Sequence, residues 1–204
     1  MQILETGFKF GALTIRKSTK RVIIHHTASP DVPASTIHGW HLNQKWSGIG
    51  YHFVIRANGT VERGRPELAI GAHAGSAGNG DSIGVVLTGN FETGKPTTAQ
   101  IDSLLWLLKD YLFPKYGVKP VIGHKDVMAT ACPGKNFPWD ELRKRLEDEE
   151  MIYKTLNDVP EWGKPLIQKL ISRKSLAGDG KGNINLPEST LKTLVILERE
   201  GVIK

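Results

Sequence analysis

The chain has 204 residues, of which 39% are apolar and 24% charged, and its 27 Lys and Arg against 21 Asp and Glu give a formal net charge of +6. This is ordinary for a globular chain holding one large domain, or one medium domain with a small appendix, and no run approaches the ~20 apolar residues of a membrane span. The basic excess implies an acidic partner, but Lys and Arg are spread along the chain and no nucleic-acid module motif occurs, which sets nucleic acid aside.

Met1–Glu5 lacks both a basic start and a long apolar core, so no Sec-type signal peptide is expected. Residues 1–20 read as a lead-in with a short strand near Leu13–Ile15. Arg21–Thr27 is the first full strand, closed by the turn-rich Ser29-Pro30-Asp31-Val32-Pro33. Strand side chains alternate between faces, so His25 and His26 cannot both serve one site if that strand is regular. Ser35–Asn43 reads as a helix with Ile37, Trp40 and His41 at helical spacing. Tyr51–Arg56 and Thr60–Arg63 form a hairpin about Asn58-Gly59, and Ala72–Gly80 is an irregular glycine-rich loop. Ser82–Thr88 is a near-continuous apolar strand, the pattern of burial on both faces. Thr97–Gln100 is a capping box opening a helix with Ile101, Leu104, Leu105, Leu108 and Leu112 on one face, its end limited by Pro114. Pro120–Gly123 is a short strand leading to His124, and Pro138 opens a last helix before residue 146. The class is α/β, a central mixed sheet flanked by helices.

The single cysteine, Cys132, excludes an internal disulfide and fits synthesis in a reducing cytosol. It stands eight positions after His124, and His25 ends another apolar run far upstream. Two imidazoles and a thiolate are the donors that zinc takes when its fourth position stays open to water. The competing reading is that a lone Cys is a small buried hydrophobe and each His a satisfied polar residue.

Ile24-His25-His26-Thr27-Ala28, Gly50-Tyr51-His52-Phe53-Val54-Ile55, Ser82-Ile83-Gly84-Val85, Gly89-Asn90-Phe91, Gly123-His124-Lys125-Asp126 and Ala131-Cys132-Pro133-Gly134 occur in one order. Together they resemble the zinc-dependent N-acetylmuramoyl-L-alanine amidases, the group shared by phage lysins and peptidoglycan recognition proteins, over roughly residues 15–146. The resemblance implies one zinc ion held by His25, His124 and Cys132. It carries Tyr51 and Thr130 into catalytic positions and places His73 and Asn79 in the substrate-side loop. The structural alternatives are a strand aromatic for Tyr51, a hydroxyl satisfying local backbone for Thr130, and a purely structural Asn79. Neither a phenol nor an alcohol is a good base at neutral pH, so the general base is not identified. His38, His41 and His52 read as structural, and Gly84 and Gly89 as serving backbone geometry.

Residues 1–146 therefore read as a catalytic domain and 151–204 as a small helical one, separated by the acidic run Glu147–Glu150, a solvated helix end or linker. The second has nine Lys and Arg against six Asp and Glu, an amphipathic segment Glu161–Arg173, a turn at Gly178–Asn183 and a helix over Ser189–Glu200. It is similar to one repeat of the surface-layer-homology type of wall-binding module at Asp158–Trp162. It departs from that type at Leu186–Leu191, where a Thr-Arg-Ala-Glu signature would stand. The implied function is hydrolysis of the amide between N-acetylmuramic acid and L-alanine of peptidoglycan by a phage or prophage endolysin of a Gram-positive host. Such a protein is made in the cytoplasm and acts on the wall after release, with residues 151–204 on anionic wall polymers. The alternatives are a non-catalytic peptidoglycan-binding module on the same fold, a zinc hydrolase with a non-wall amide substrate and, for the tail, a stabilising or dimerising appendage.

Overall fold

The fold is built around two neighbouring strands that expose almost nothing to solvent. The computed structural model describes residues 1–118, 120–147 and 152–203. From the N-terminus the elements are β1 (Ile3–Leu4), β2 (Arg21–His26), α1 (Ala34–Asn43), β3 (Phe53–Ile55), β4 (Val61–Arg63), the one-turn α2 (Gly75–Gly78), β5 (Ser82–Leu87), α3 (Thr98–Trp106), α4 (Phe113–Tyr116), β6 (Val121–Gly123) and α5 (Trp139–Glu147). The sheet runs β1-β4-β3-β5-β2-β6. Only the β3–β4 hairpin is antiparallel, so the sheet is mixed. β2 and β5 lie inside it and are buried almost throughout, as their apolar runs require.

The two faces differ. Val22, Ile24, Ile83, Val85 and Leu87 pack with Phe53 and Ile55 against Ile101, Leu104, Leu105 and Leu108 in the main core. Val54 and Val86 face the other way, onto Ala34 and Ile37 of α1 and onto Ile49. His25 pairs with Val86 across the β2–β5 ladder and shares its face, whereas His26 turns to the main-core side.

Three local readings change. Leu13–Ile15 forms only an isolated bridge, Ile15 to Ala69, and the edge strand is β1 instead. Trp40 is 39% exposed, and the buried stripe of α1 is Ala34, Ile37, His38 and His41. The helix opened by the Thr97 capping box does not stop before Pro114. Leu107–Leu112 widens into a π-helix, with Phe113 N–H donating to Leu108 C=O, and α4 continues through Pro114 to Gly117 at φ 63°. The wider turn takes up proline's missing N–H without breaking the helix.

Four of the seven histidines use Nδ1 to accept a backbone N–H. His26 accepts from Phe91, His38 from Ile49, His41 from Gly50 and His52 from Gly84. Each acceptor must be a bare ring nitrogen, and burial disfavours the charged form. Burial, with Arg65 nearby, lowers His41 to about 4, and burial lowers His52 to about 3.

The chain divides into two compact units, Met1–Leu146 and Glu147–Lys204. In the second, β7 (Ile152–Tyr153) pairs antiparallel with β8 (Leu186–Pro187), and α6 (Lys164–Ser172) and α7 (Glu188–Arg199) complete it. Its own core is Tyr153, Val159, Leu166, Ile167, Leu170, Leu186, Leu191 and Val195. Trp162 stands 49% exposed rather than in that apolar stripe. In the 178–183 turn, Asp179 accepts from Lys181 N–H and Asn183 N–H. Of the acidic run expected as a linker, Asp148–Glu150 lies outside the described residues. Among the described residues no helix is long and apolar enough to cross a membrane.

The buried imidazoles set an acid limit. A histidine whose folded pKa is depressed binds its proton mainly in the unfolded chain, so stability is present above about 6.5 and is lost as pH falls toward the folded values. His41 and His52 together are expected to cost the first unit about 3 kcal/mol between pH 7 and pH 5. Denaturant unfolding with a chelator present throughout checks this, and a flat stability between those pH values would contradict neutral burial.

Candidate metal centre and cleft

The β2–β6 register pairs Ile24 with Gly123, so the next residue on each strand, His25 and His124, leaves the sheet side by side. Their ring centroids lie 4.6 Å apart. Both stand at carboxyl ends of parallel strands, where ligands of open α/β sheets gather. After β6 the chain makes a short 3-10 turn, His124–Asp126, with Gly123 N–H donating to the Asp126 carboxylate. Lys125 N–H donates to Cys132 C=O and closes the loop that returns the thiol.

Among the described residues, His25, His124 and Cys132 form a group whose donor atoms lie within 4.8 Å of one another. Cys132 Sγ is 3.7 Å from His25 Nδ1, close to the ~3.6 Å that tetrahedral bonds of about 2.0 and 2.3 Å produce. The donors and their spacing fit zinc. His26 N–H donates to Cys132 Sγ at 3.4 Å. Burial pushes the Cys132 thiol up to about 11, so a metal would bind there with loss of a proton. His124 Nε2 lies 3.2 Å from Met128 Sδ.

Tyr51 sits beside the group, its ring centroid 5.1 Å from that of His25. Burial, and secondarily the Cys132 sulfur, holds its phenol well above the ordinary value, so it is a hydrogen-bond donor at neutral pH. Thr130 is exposed, and its Oγ1 accepts from Cys132 N–H at 3.3 Å. His73 is buried, with Nδ1 2.9 Å from His25 Nε2. Asn79 Oδ1 accepts from both His73 N–H and Ala74 N–H at 2.8 Å, so it organises the loop carrying His73. The structure thus gathers Tyr51, His73 and the three candidate ligands, sets Thr130 on the loop rim, and ties Asn79 to backbone.

A cleft of about 400 Å³ opens over this group, lined by Trp46, His41, Tyr51, Asn79, His124 and Met128 among others. The Trp46 and His41 ring centroids lie 4.6 Å apart with the rings tilted by 41°. Neither was singled out from the sequence as a site residue. The available signal for Trp46 was a large aromatic in a polar, glycine-flanked loop, whereas His41 hides in the helical period of α1.

The two glycines read as backbone devices differ in kind. Gly89 has φ 134°, but Gly84 matters for the atom it lacks. A Cβ there would stand 2.4 Å from His73 Cδ2, and one at Gly71 equally close. The two form a slot for the His73 ring.

The N-acetylmuramoyl-L-alanine amidase family model matches residues 16–135. The endolysin of Enterobacteria phage T3 is 42% identical over 145 residues, 67% of this chain and 91% of that protein. Among solved structures, the N-acetylmuramoyl-L-alanine amidase LysC from Clostridium intestinale aligns with a TM-score of 0.69 at 37% identity, covering 73% of this chain and 99% of that one. The ectodomain complex of peptidoglycan recognition proteins LCa and LCx with tracheal cytotoxin aligns at 0.63 and 26% identity, over 71% of this chain and 96% of that one.

Gly84→Ala is expected to cost about 1–3 kcal/mol through overpacking against His73. His73→Ala in the same chain should recover part of that loss, a coupling that a double-mutant cycle reads. Additive losses would remove the slot.

Proposed function

The chain belongs to the N-acetylmuramoyl-L-alanine amidase family, and on that premise we propose that it hydrolyses its amide with one zinc ion held by His25, His124 and Cys132. Membership makes it an amidase whose substrate is peptidoglycan; the ion, the residue roles and the host are our reading. The observation that carries the reading is the convergence of two imidazoles and one thiol beneath an aromatic-lined cleft that His124 helps to line. A recognition module that only binds would not need that donor set.

When bound, zinc supplies a Lewis acid that acidifies water and polarises the scissile carbonyl. The chain's own groups do the rest. The Tyr51 hydroxyl donates to the oxygen that gains charge as the carbonyl is attacked. Thr130, on the rim, offers a hydroxyl to the substrate backbone. His73 backs His25 and also lines the cleft, where it can meet substrate, and Asn79 holds the His73 loop. His41 and Trp46 form the cleft wall on which a glycan-peptide lies.

The bond cut is the one between the lactyl group of N-acetylmuramic acid and L-alanine. Phage-encoded relatives support an endolysin acting on the wall after release; the ground for reading a Gram-positive host is the wall-binding-like tail and not those relatives. Residues 151–204 bind anionic wall polymer, supported by their basic excess and by a core of their own.

Digestion of purified walls should raise free amino groups with no new reducing sugar, and a chelator should abolish it until zinc returns. Cys132→Ser exchanges a thiolate for a poor neutral ligand, so zinc content and hydrolysis should fall together. A fully zinc-loaded serine variant would take Cys132 out of the ligand set.

Truncation after residue 150 should leave cleavage of small soluble muropeptides intact and reduce activity on whole walls, because the tail raises effective concentration at an insoluble substrate. The isolated tail should sediment with walls, less so in high salt. Equal loss on both substrates, with no sedimentation, would make the tail a stabilising appendage.

A further inference from the structure

The lone pair that His25 turns toward Cys132 is controlled from beneath the cleft, where α2 meets β5. α2 ends at Gly78, whose carbonyl is among those a helix end leaves without an intrahelical donor. The Ser82 hydroxyl, at the start of β5, donates to that carbonyl at 2.6 Å. A hydroxyl has one proton, so with that proton committed Ser82 Oγ can only accept from its other neighbour. That neighbour is His73 Nε2, at a long 3.5 Å. His73 makes that bond only with its proton on Nε2. As a neutral ring among the imidazoles of His25 and His52, it presents Nδ1 bare. Nδ1 lies 2.9 Å from His25 Nε2, and a bare nitrogen there requires His25 to donate. His25 in turn keeps its proton on Nε2 and leaves Nδ1 unprotonated, on the side of Cys132 Sγ.

We infer that Ser82 and His73 are positioning residues: a one-way chain of protons, from His25 through His73 and Ser82 to the Gly78 carbonyl, fixes the His25 tautomer before any metal arrives. The surroundings hold the chain in place. Gly71 and Gly84 leave the slot for the His73 ring, Asn79 fixes the His73 backbone, and Ser82 and Gly84 share with His25 the sheet face on which the ring lies. Reversing the chain would bare His73 Nε2, and with one proton Ser82 could then serve either that nitrogen or the Gly78 carbonyl but not both, at the cost of an unmade buried hydrogen bond. A ligating imidazole usually gives its second N–H to a carboxylate or carbonyl. Here a second neutral imidazole accepts it. The inference rests on the zinc reading for its purpose but not for its geometry.

The test separates the two. In metal-free protein labelled with 15N-histidine, long-range 1H–15N correlation at neutral pH should show His25 and His73 each protonated on Nε2 and bare on Nδ1. Coupling should appear across the bond from His25 Nε2–H to His73 Nδ1. Protonated Nδ1 on either ring would overturn the chain. In Ser82→Ala the direction is no longer set, so a second tautomer should appear on both rings; an unchanged single tautomer would take Ser82 out of the mechanism. In competition with a chromogenic chelator, His73→Phe should weaken zinc affinity about ten- to hundredfold. His73→Asn restores an oxygen near the Nδ1 position and should recover most of that loss. Parental affinity in the phenylalanine variant would overturn the positioning role. The expected tautomers in a parent protein that takes up no zinc would leave the chain standing and sink the zinc reading instead.

Discussion

Much of the first unit is held by hydrogen bonds from backbone N–H groups to buried, uncharged imidazoles. His38 and His41 of α1 accept from Ile49 and Gly50 and so anchor the segment that runs into Tyr51. His52 accepts from the middle of β5, and its Nε2 lies 3.0 Å from Ala69 C=O. His26 accepts from Phe91, tying the loop after β5 to the end of β2. Each bond requires a bare nitrogen in a site that excludes the imidazolium. The residue type that supplies the candidate ligands thus also supplies the struts around them, and both uses demand the same protonation state.

The sheet and its helices were legible because the residues spell them locally. The apolar run of β5, the Asn58-Gly59 hairpin and the Thr97 capping box each carry their own geometry in sequence. Pro114 misled because a proline reads as a stop, whereas six residues of π-helix absorb it. β1 was invisible: two residues pairing with β4 leave no period to detect. Trp40 and Trp162 were assigned to apolar faces by spacing, yet both stand in solvent, since periodicity cannot tell which face finds a partner.

At the site, His25, His124 and Cys132 could be named from the sequence because the donor types are few and the family order is specific. What stayed hidden depends on contacts between distant segments. His41 lies in a helix and reaches the cleft only through the fold. Gly84 looked like a backbone device, but its role is steric, at a ring eleven residues away in sequence. Ser82 offered nothing beyond a strand start, since a hydroxyl acquires direction only when the carbonyl that takes its proton is known. Thr130 is the opposite case: its hydroxyl meets a neighbouring backbone N–H, a short-range contact that the loop sequence permits.

The pairing of β2 with β6 bears on how such a chain can vary over time. His25 and His124 are about a hundred residues apart, yet they meet because Ile24 and Gly123 are partners in the ladder. Insertions in the intervening loops would leave that meeting untouched. A single residue gained or lost inside β6 would turn His124 to the other face of the sheet. Lineages carrying this arrangement should therefore differ freely in the number of residues between the two histidines, and hardly at all in the three that precede the second.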